Sequence, residues 1–141
     1  MKKEECIFCN FKDKEVLVYD DDLCYAIISK DPINDYHVLI IPKKHYKNFI
    51  ELPDKLASHV FLVAKKISKA VREACNPDAV THLFDDDISK EGYNMVSHYK
   101  FHIIPRFKKD LLMIDWSPLR NKNLGIKARS KFANDIKRRL R

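Results

Sequence analysis

His98-Tyr99-Lys100-Phe101-His102-Ile103-Ile104-Pro105-Arg106 is the stretch on which the reading of this chain turns. In an extended strand, residues two apart share a face. His98, Lys100 and His102 therefore line one side, and Tyr99, Phe101 and Ile103 line the other. Same-face neighbours lie about 6.6–7 Å apart. The pattern predicts a long strand over residues 95–104, ended by Pro105-Arg106. Taken alone, this strand is equally consistent with a solvated polar face and with a functional site, because polar-out alternation is ordinary in antiparallel sheets.

Working outward, residues 80–84 predict a short strand, separated from 95–104 by a polar loop that begins Asp85-Asp86-Asp87. Upstream, Leu56, Val60, Val63, Ala64, Ile67, Ala70, Val71 and Ala74 recur at i+3 and i+4, which predicts the main helix over residues 51–74. Residues 37–41 form an apolar strand stopped at Pro42. Residues 16–19 and 24–28 predict two strands joined by Asp20-Asp21-Asp22. Ala128, Phe132, Ile136 and Leu140 are spaced by four and predict a terminal amphipathic helix. Glycine is scarce, only Gly92 and Gly125, so turns fall to Pro, Asn and Asp. This mixture predicts an antiparallel α+β fold.

The 141 residues are 45% apolar and 33% charged, enough to bury a core without disulfide staples. No 18-residue apolar run occurs, so no transmembrane helix is expected. Met1-Lys2-Lys3-Glu4-Glu5-Cys6 lacks the apolar centre of a secretory signal. The expectation is a cytoplasmic location without a membrane partner, and Cys6, Cys9, Cys24 and Cys75 remain thiols. Lys plus Arg outnumber Asp plus Glu by 27 to 20, a net charge of +7. Such a balance favours anionic partners. The excess reads as diffuse except at the C-terminus, where residues 127–141 hold seven Lys or Arg against Asp135. A solvated helix face accounts for that tail more simply than nucleic acid, which ranks second as a partner.

Three separated motifs carry the function. Cys6-Ile7-Phe8-Cys9 comes first, then Tyr36-His37-Val38-Leu39-Ile40-Ile41-Pro42-Lys43-Lys44-His45, then the stretch from His98 to Arg106. In this order and spacing they resemble the histidine triad (HIT) family, over residues 6 to about 107. The resemblance implies a HIT-like fold: a five-stranded antiparallel sheet with one long helix and a C-terminal helix. Residues 1–110 would form the HIT-like domain, and 111–141 an extension of the same domain. It also implies a homodimer and a purine nucleotide or nucleoside phosphate as ligand, in a family whose members hydrolyse or transfer nucleoside monophosphate groups.

The family motif is His-φ-His-φ-His-φ-φ, with φ apolar, and its middle His attacks the α-phosphate. Lys100 stands at that position. The remaining catalytic positions carried over are His102 and His37. The nucleotide-binding positions are Ile28, Ser29, Asn94, Met95 and His102. Several depart from the family: Ser29 replaces an Asp that bonds ribose, Tyr36 replaces a Gly, and Tyr93, Asn94 and Met95 replace Gly, Gln and a hydroxyl residue. The metal implied is zinc, on Cys6, Cys9, His45 and His98, and Cys2His2 is a closed tetrahedral set of the structural type.

Nucleophile loss has a size. An imidazole is about three-quarters neutral at pH 7, whereas a free Lys is neutral in only about one molecule in 2,500. Removing a covalent nucleophile costs on the order of 10⁶-fold in rate, or about 8 kcal/mol. Nucleotide binding with weak or lost turnover is therefore the leading expectation. An active enzyme using Lys100 as nucleophile and a non-catalytic interaction module with a basic tail are the alternatives. His59 reads as a rim residue, His82 as a strand residue near the pocket, and Trp116 as core packing.

Overall fold

The apolar and β-branched runs become β1 (Leu17–Asp20), β2 (Cys24–Ile28), β3 (Val38–Pro42), β4 (Ala79–Leu83) and β5 (Phe101–Arg106), with helices α1 (Asp54–Cys75) and α2 (Ile126–Lys137). The computed structural model describes residues 5–86, 95–108, 110 and 125–140. The strands form one sheet in the order β1-β2-β3-β5-β4, and every neighbouring pair is antiparallel. The α+β fold with a five-stranded antiparallel sheet and two helices is as expected. Among the described residues, no helix is long and apolar enough to cross a membrane.

Directly opposed residues in antiparallel strands share a face. Val38 opposes Ile103 and Ile40 opposes Phe101, and these four side chains pack against Leu56, Val60, Val63, Ala64, Ile67 and Val71 of α1. Ala70 and Ala74, also placed on that stripe by the periodicity, are exposed. On the other face, Tyr25, Ile27, Leu39 and Ile41 are covered by Phe8, Phe11 and Leu17. Leu39 opposes His102, so His102 belongs to this second face. A bulge lets Leu17 oppose Ile27 while Tyr19 opposes Ala26; Leu17 therefore packs on one face and Tyr19 on the other.

Several boundaries differ from the sequence expectations. The main helix starts at Asp54, not residue 51, because Pro53 disfavours helical backbone before it; Leu56 and Ala57 N–H both donate to Pro53 O. β1 starts at Leu17 because Lys14–Val16 form a 3-10 turn. The last strand begins at Phe101 rather than residue 95. His98 N–H turns back to Val96 O at 2.7 Å and Tyr99 N–H donates to Tyr46 O at 2.6 Å. The backbone of that lead-in is therefore bonded to itself and to the turn after β3. β5 in turn runs on through Pro105, which pairs with Val80 alone because β3 begins opposite Ile103. The missing proline N–H thus faces no second strand.

The chain divides into two units, Met1–Leu111 and Leu112–Arg141. The first contains the sheet and α1. The second contains α2, which begins after Gly125. Their charges differ sharply. The second unit holds nine Lys or Arg against two Asp, so it carries the whole +7, while the first holds 18 of each sign. The excess is not diffuse.

Candidate functional site

The N-terminal segment reaches the sheet as a tight turn. Cys9 and Asn10 N–H both donate to Cys6 O, at 3.1 and 3.2 Å. Tyr25 Oη–H donates to Phe8 O at 2.7 Å, and Phe11 stacks on the Tyr25 ring at 5.3 Å. These contacts hold both cysteines over the face that carries His102. The turn after β3 brings His45, and the lead-in to β5 brings His98.

One ligand atom from each of Cys6, Cys9, His45 and His98 lies within 4.8 Å of the others. Cys6 Sγ is 3.4 Å from His98 Nδ1, Cys9 Sγ is 3.3 Å from His45 Nδ1, and Cys9 Sγ is 3.6 Å from His98 Nδ1. A tetrahedral site with metal–sulfur bonds of about 2.3 Å and metal–nitrogen bonds of about 2.05 Å has S···N edges of about 3.5 Å. His98 Nδ1 has a single lone pair yet faces two sulfurs, whereas one shared cation satisfies all three S···N contacts at once. His98 Nε2 donates to Pro42 O at 2.9 Å. That fixes the proton on Nε2 and leaves Nδ1 bare toward the sulfurs, the usual arrangement of a metal-ligating histidine. Cys6 and His98 are fully buried. Burial pushes the His98 imidazole down to about 4, the Pro42 carbonyl acts against it, and the His45 and Lys100 charges add to it. His98 is thus neutral at pH 7, as a ligand must be. All four cysteines are free thiols. These residues fit a metal ion.

His37 and His102 form a second pair, with Nε2 of His37 3.0 Å from Nδ1 of His102. The backbone N–H of Ile33 donates to His37 Nδ1 at 3.1 Å. A backbone N–H can only donate, so His37 carries its proton on Nε2, passes it toward His102 Nδ1, and leaves His102 with its own proton on Nε2. Burial lowers both imidazoles, His102 to about 4 with help from His37 and Lys100. Both are neutral at pH 7.

Lys100 is half-buried. Its Nζ donates to Val96 O at 3.2 Å and to His98 O at 3.5 Å, and lies 5.8 Å from the Phe8 ring centroid. Burial pushes the amine down to about 8, with Asp85 and Cys6 acting the other way.

The other carried-over positions scatter. Ser29 N–H donates to His37 O at 2.8 Å, so Ser29 lies beside the histidine pair. Ile28 opposes Val38, and its side chain lies on the α1 face, away from His102. Met95 is 92% exposed. Asn94, Tyr93, Gly92 and Trp116 lie outside the described residues. His82 opposes Ile103 and bonds Ser68 Oγ of α1 at 2.7 Å, so it lies on the opposite face from His102. His59 is partly buried and bonds Asp21 at 2.7 Å. The sequence reading missed Ile33, Asn34 and Phe8. Their contributions are a backbone N–H, a loop amide and an aromatic ring, and only the polar loop around Asn34 carried any signal.

Comparison with known proteins identifies the family and the fold. The sequence profile described as HIT domain matches residues 10–109. A HIT-like protein of Saccharolobus solfataricus is 35% identical over 117 residues, 80% of this chain and 83% of that protein. An adenylylsulfatase of Arabidopsis thaliana is 30% identical over 98% of this chain and 71% of its own length. An adenosine 5′-monophosphoramidase of Candida albicans is 31% identical over 74% of this chain and 71% of its own. Among solved structures, a HIT family protein from Bacillus subtilis superposes with a TM-score of 0.86 at 28% identity, covering 97% of this chain and 98% of that one. A zinc-bound histidine triad protein from Mycobacterium smegmatis gives 0.69 at 25% identity, over 80% and 83%. Profile, relatives and fold converge, and the chain belongs to the HIT domain family.

Proposed function

We propose that this chain is a zinc-containing, homodimeric, cytoplasmic HIT protein that binds a purine nucleotide and turns it over weakly or not at all. The observation that carries the reading is an amine, Lys100, at the position where the HIT pattern has its phosphate-attacking imidazole. Two backbone carbonyls accept from its Nζ. Such acceptors favour an ammonium, which has no lone pair to offer phosphorus but supplies a point charge to a phosphate oxygen. His102 adds a neutral N–H donor, and Ser29 and Asn94 serve as further polar contacts in this reading. The names of the Arabidopsis and Candida relatives, an adenylylsulfatase and an adenosine 5′-monophosphoramidase, make AMP the first ligand to test.

Cys6, Cys9, His45 and His98 would hold the zinc. Once bound, it supplies a closed structural cross-link with no position left for substrate. The proposed consequence is that the N-terminal turn stays fixed over the Lys100 face.

The unaltered protein should bind AMP in calorimetry and cleave adenosine 5′-phosphoramidate negligibly, while Lys100→His should gain turnover. No binding at millimolar AMP, or brisk cleavage by the unaltered protein, overturns the reading. A nucleotide adduct on Lys100 after incubation with ATP, read by mass spectrometry, would favour the active-lysine alternative. Elemental analysis should find one zinc per chain. Cys9→Ser should lose it and melt at a lower temperature.

A further inference from the structure

Among the described residues, the His37–His102 pair is oriented by one backbone N–H, that of Ile33, so whatever fixes that N–H governs the pair. Ile33 sits in the loop between β2 and β3, and one side chain anchors that loop to β5. Asn34 Nδ2 donates to Pro105 O and to Asp110 Oδ2, both at 2.9 Å, and Asn34 O accepts from His37 N–H at 3.2 Å. Asp110 is held in turn. Arg106 grips it at both oxygens, Nε to Oδ2 at 2.6 Å and a terminal nitrogen to Oδ1 at 2.7 Å. Phe107 N–H also donates to Oδ2 at 3.1 Å. The Asp110 carboxylate is 7% exposed, so this is a sheltered bidentate pair rather than a loose surface contact.

The proton arithmetic depends on the loop. While Ile33 N–H points at His37 Nδ1, the only allowed neutral form of His37 has its proton on Nε2. His102 must then accept at Nδ1 and donate at Nε2. With Ile33 N–H withdrawn, His37 can carry its proton on Nδ1 and accept at Nε2. His102 would then donate from Nδ1, and its Nε2 would become a bare acceptor that repels a phosphate oxygen. One loop bond thus chooses between a donor and an acceptor at His102 Nε2.

We propose that Asn34, clamped by the Arg106–Asp110 pair, is a positioning residue that sets the proton polarity of His37 and His102 so that His102 presents an N–H to the ligand. The polarity follows from this chain's own contacts; that the N–H meets a phosphate oxygen rests on the nucleotide reading above.

The test is nitrogen NMR of the full-length 15N-labelled protein at pH 7.5, where both imidazoles are neutral. In the unaltered protein, His37 and His102 should each show the Nε2–H tautomer. A His102 carrying its proton on Nδ1 overturns the proposal whatever any variant does. Asn34→Ala and Asp110→Asn break the clamp from opposite ends, and in each His37 should shift to a mixture of tautomers. Thr81→Ala removes a different partner of Arg106, 3.3 Å away, and should leave both signals in place. Unchanged tautomers in a folded clamp variant overturn the proposal. AMP affinity should fall about tenfold in the clamp variants, the loss of one hydrogen bond to a charged group. If the unaltered protein fails to bind AMP while the tautomers shift as described, the positioning role stands and the nucleotide reading falls.

Discussion

Tyr36 has φ 64°, in the left-handed region, immediately before His37 and at the position where the HIT pattern has glycine. A side chain there costs about 1–2 kcal/mol, and the ring, 46% exposed, recovers little of it by packing. Tyr36→Gly should therefore raise stability by about 1 kcal/mol, read as a higher urea midpoint at unchanged slope. Asp21 is a hub of another kind. Its Oδ1 accepts from Leu23 and Cys24 N–H at 2.8 and 2.9 Å, and its Oδ2 from Tyr19 Oη–H and His59 Nε2, both at 2.7 Å. Burial alone would raise this carboxyl, but the Cys24 N–H bond, with those from Tyr19, His59 and Leu23, outweighs it and holds the group well below the usual carboxylate range. A carboxyl lowered by folding adds stability in full above its unfolded value, about 3.9, and loses it as pH falls toward the folded value. Asp21→Ala should cost about 2–3 kcal/mol at pH 7 through the donors it strands. The gap between variant and parent should narrow as urea unfolding is repeated from pH 5 to pH 2.5.

The elements owe their stability to different sources, and so differ in how far the sequence reveals them. α1 was legible because its 3.6-residue period is local and its buried stripe meets a flat apolar sheet. Ile67, 3% exposed, and Leu62, 67% exposed, separate period from packing. Ile67→Ala should cost about 3 kcal/mol and Leu62→Ala less than about 0.5 kcal/mol, both measured by denaturant unfolding. β2 was legible for the same reason, an apolar run with turn residues before it. The start of β5 was not. Alternation continues back through His98, but the partner of Tyr99 N–H is Tyr46 O, and nothing within residues 95–100 records that distant acceptor. The Cys and His motifs pointed to four residues that the fold does bring together, because motif order encodes shared position. Asn34 could not be found that way. Its meaning depends on Asp110, 76 residues later, and on a loop backbone that no pattern of side-chain types describes.

At the scale of the whole molecule, the charge is segregated. The unit from Leu112 to Arg141 carries +7 while Met1–Leu111 is neutral in formal charge. Along α2 and its C-cap residue Arg138, successive residues turn by about 100°, which gathers Lys127, Lys131 and Arg138 on one side, opposite Phe132 and Ile136. Net charge alone cannot distinguish a uniformly basic protein from this one, but the response to equal charge removal can. Lys65, Lys69 and Arg72 line the groove beside Phe61 and Phe101, on a unit whose positive and negative residues balance. Replacing these three by Ala leaves the chain at a net +4, and so does replacing Lys127, Lys131 and Arg138. Attraction to a polyanion falls off within about 8–10 Å at physiological salt, so local density governs retention more than the total. On immobilised heparin, the tail variant should elute at clearly lower salt than the groove variant. Coincident elution would mean that the two units contribute alike and that the segregation has no electrostatic consequence.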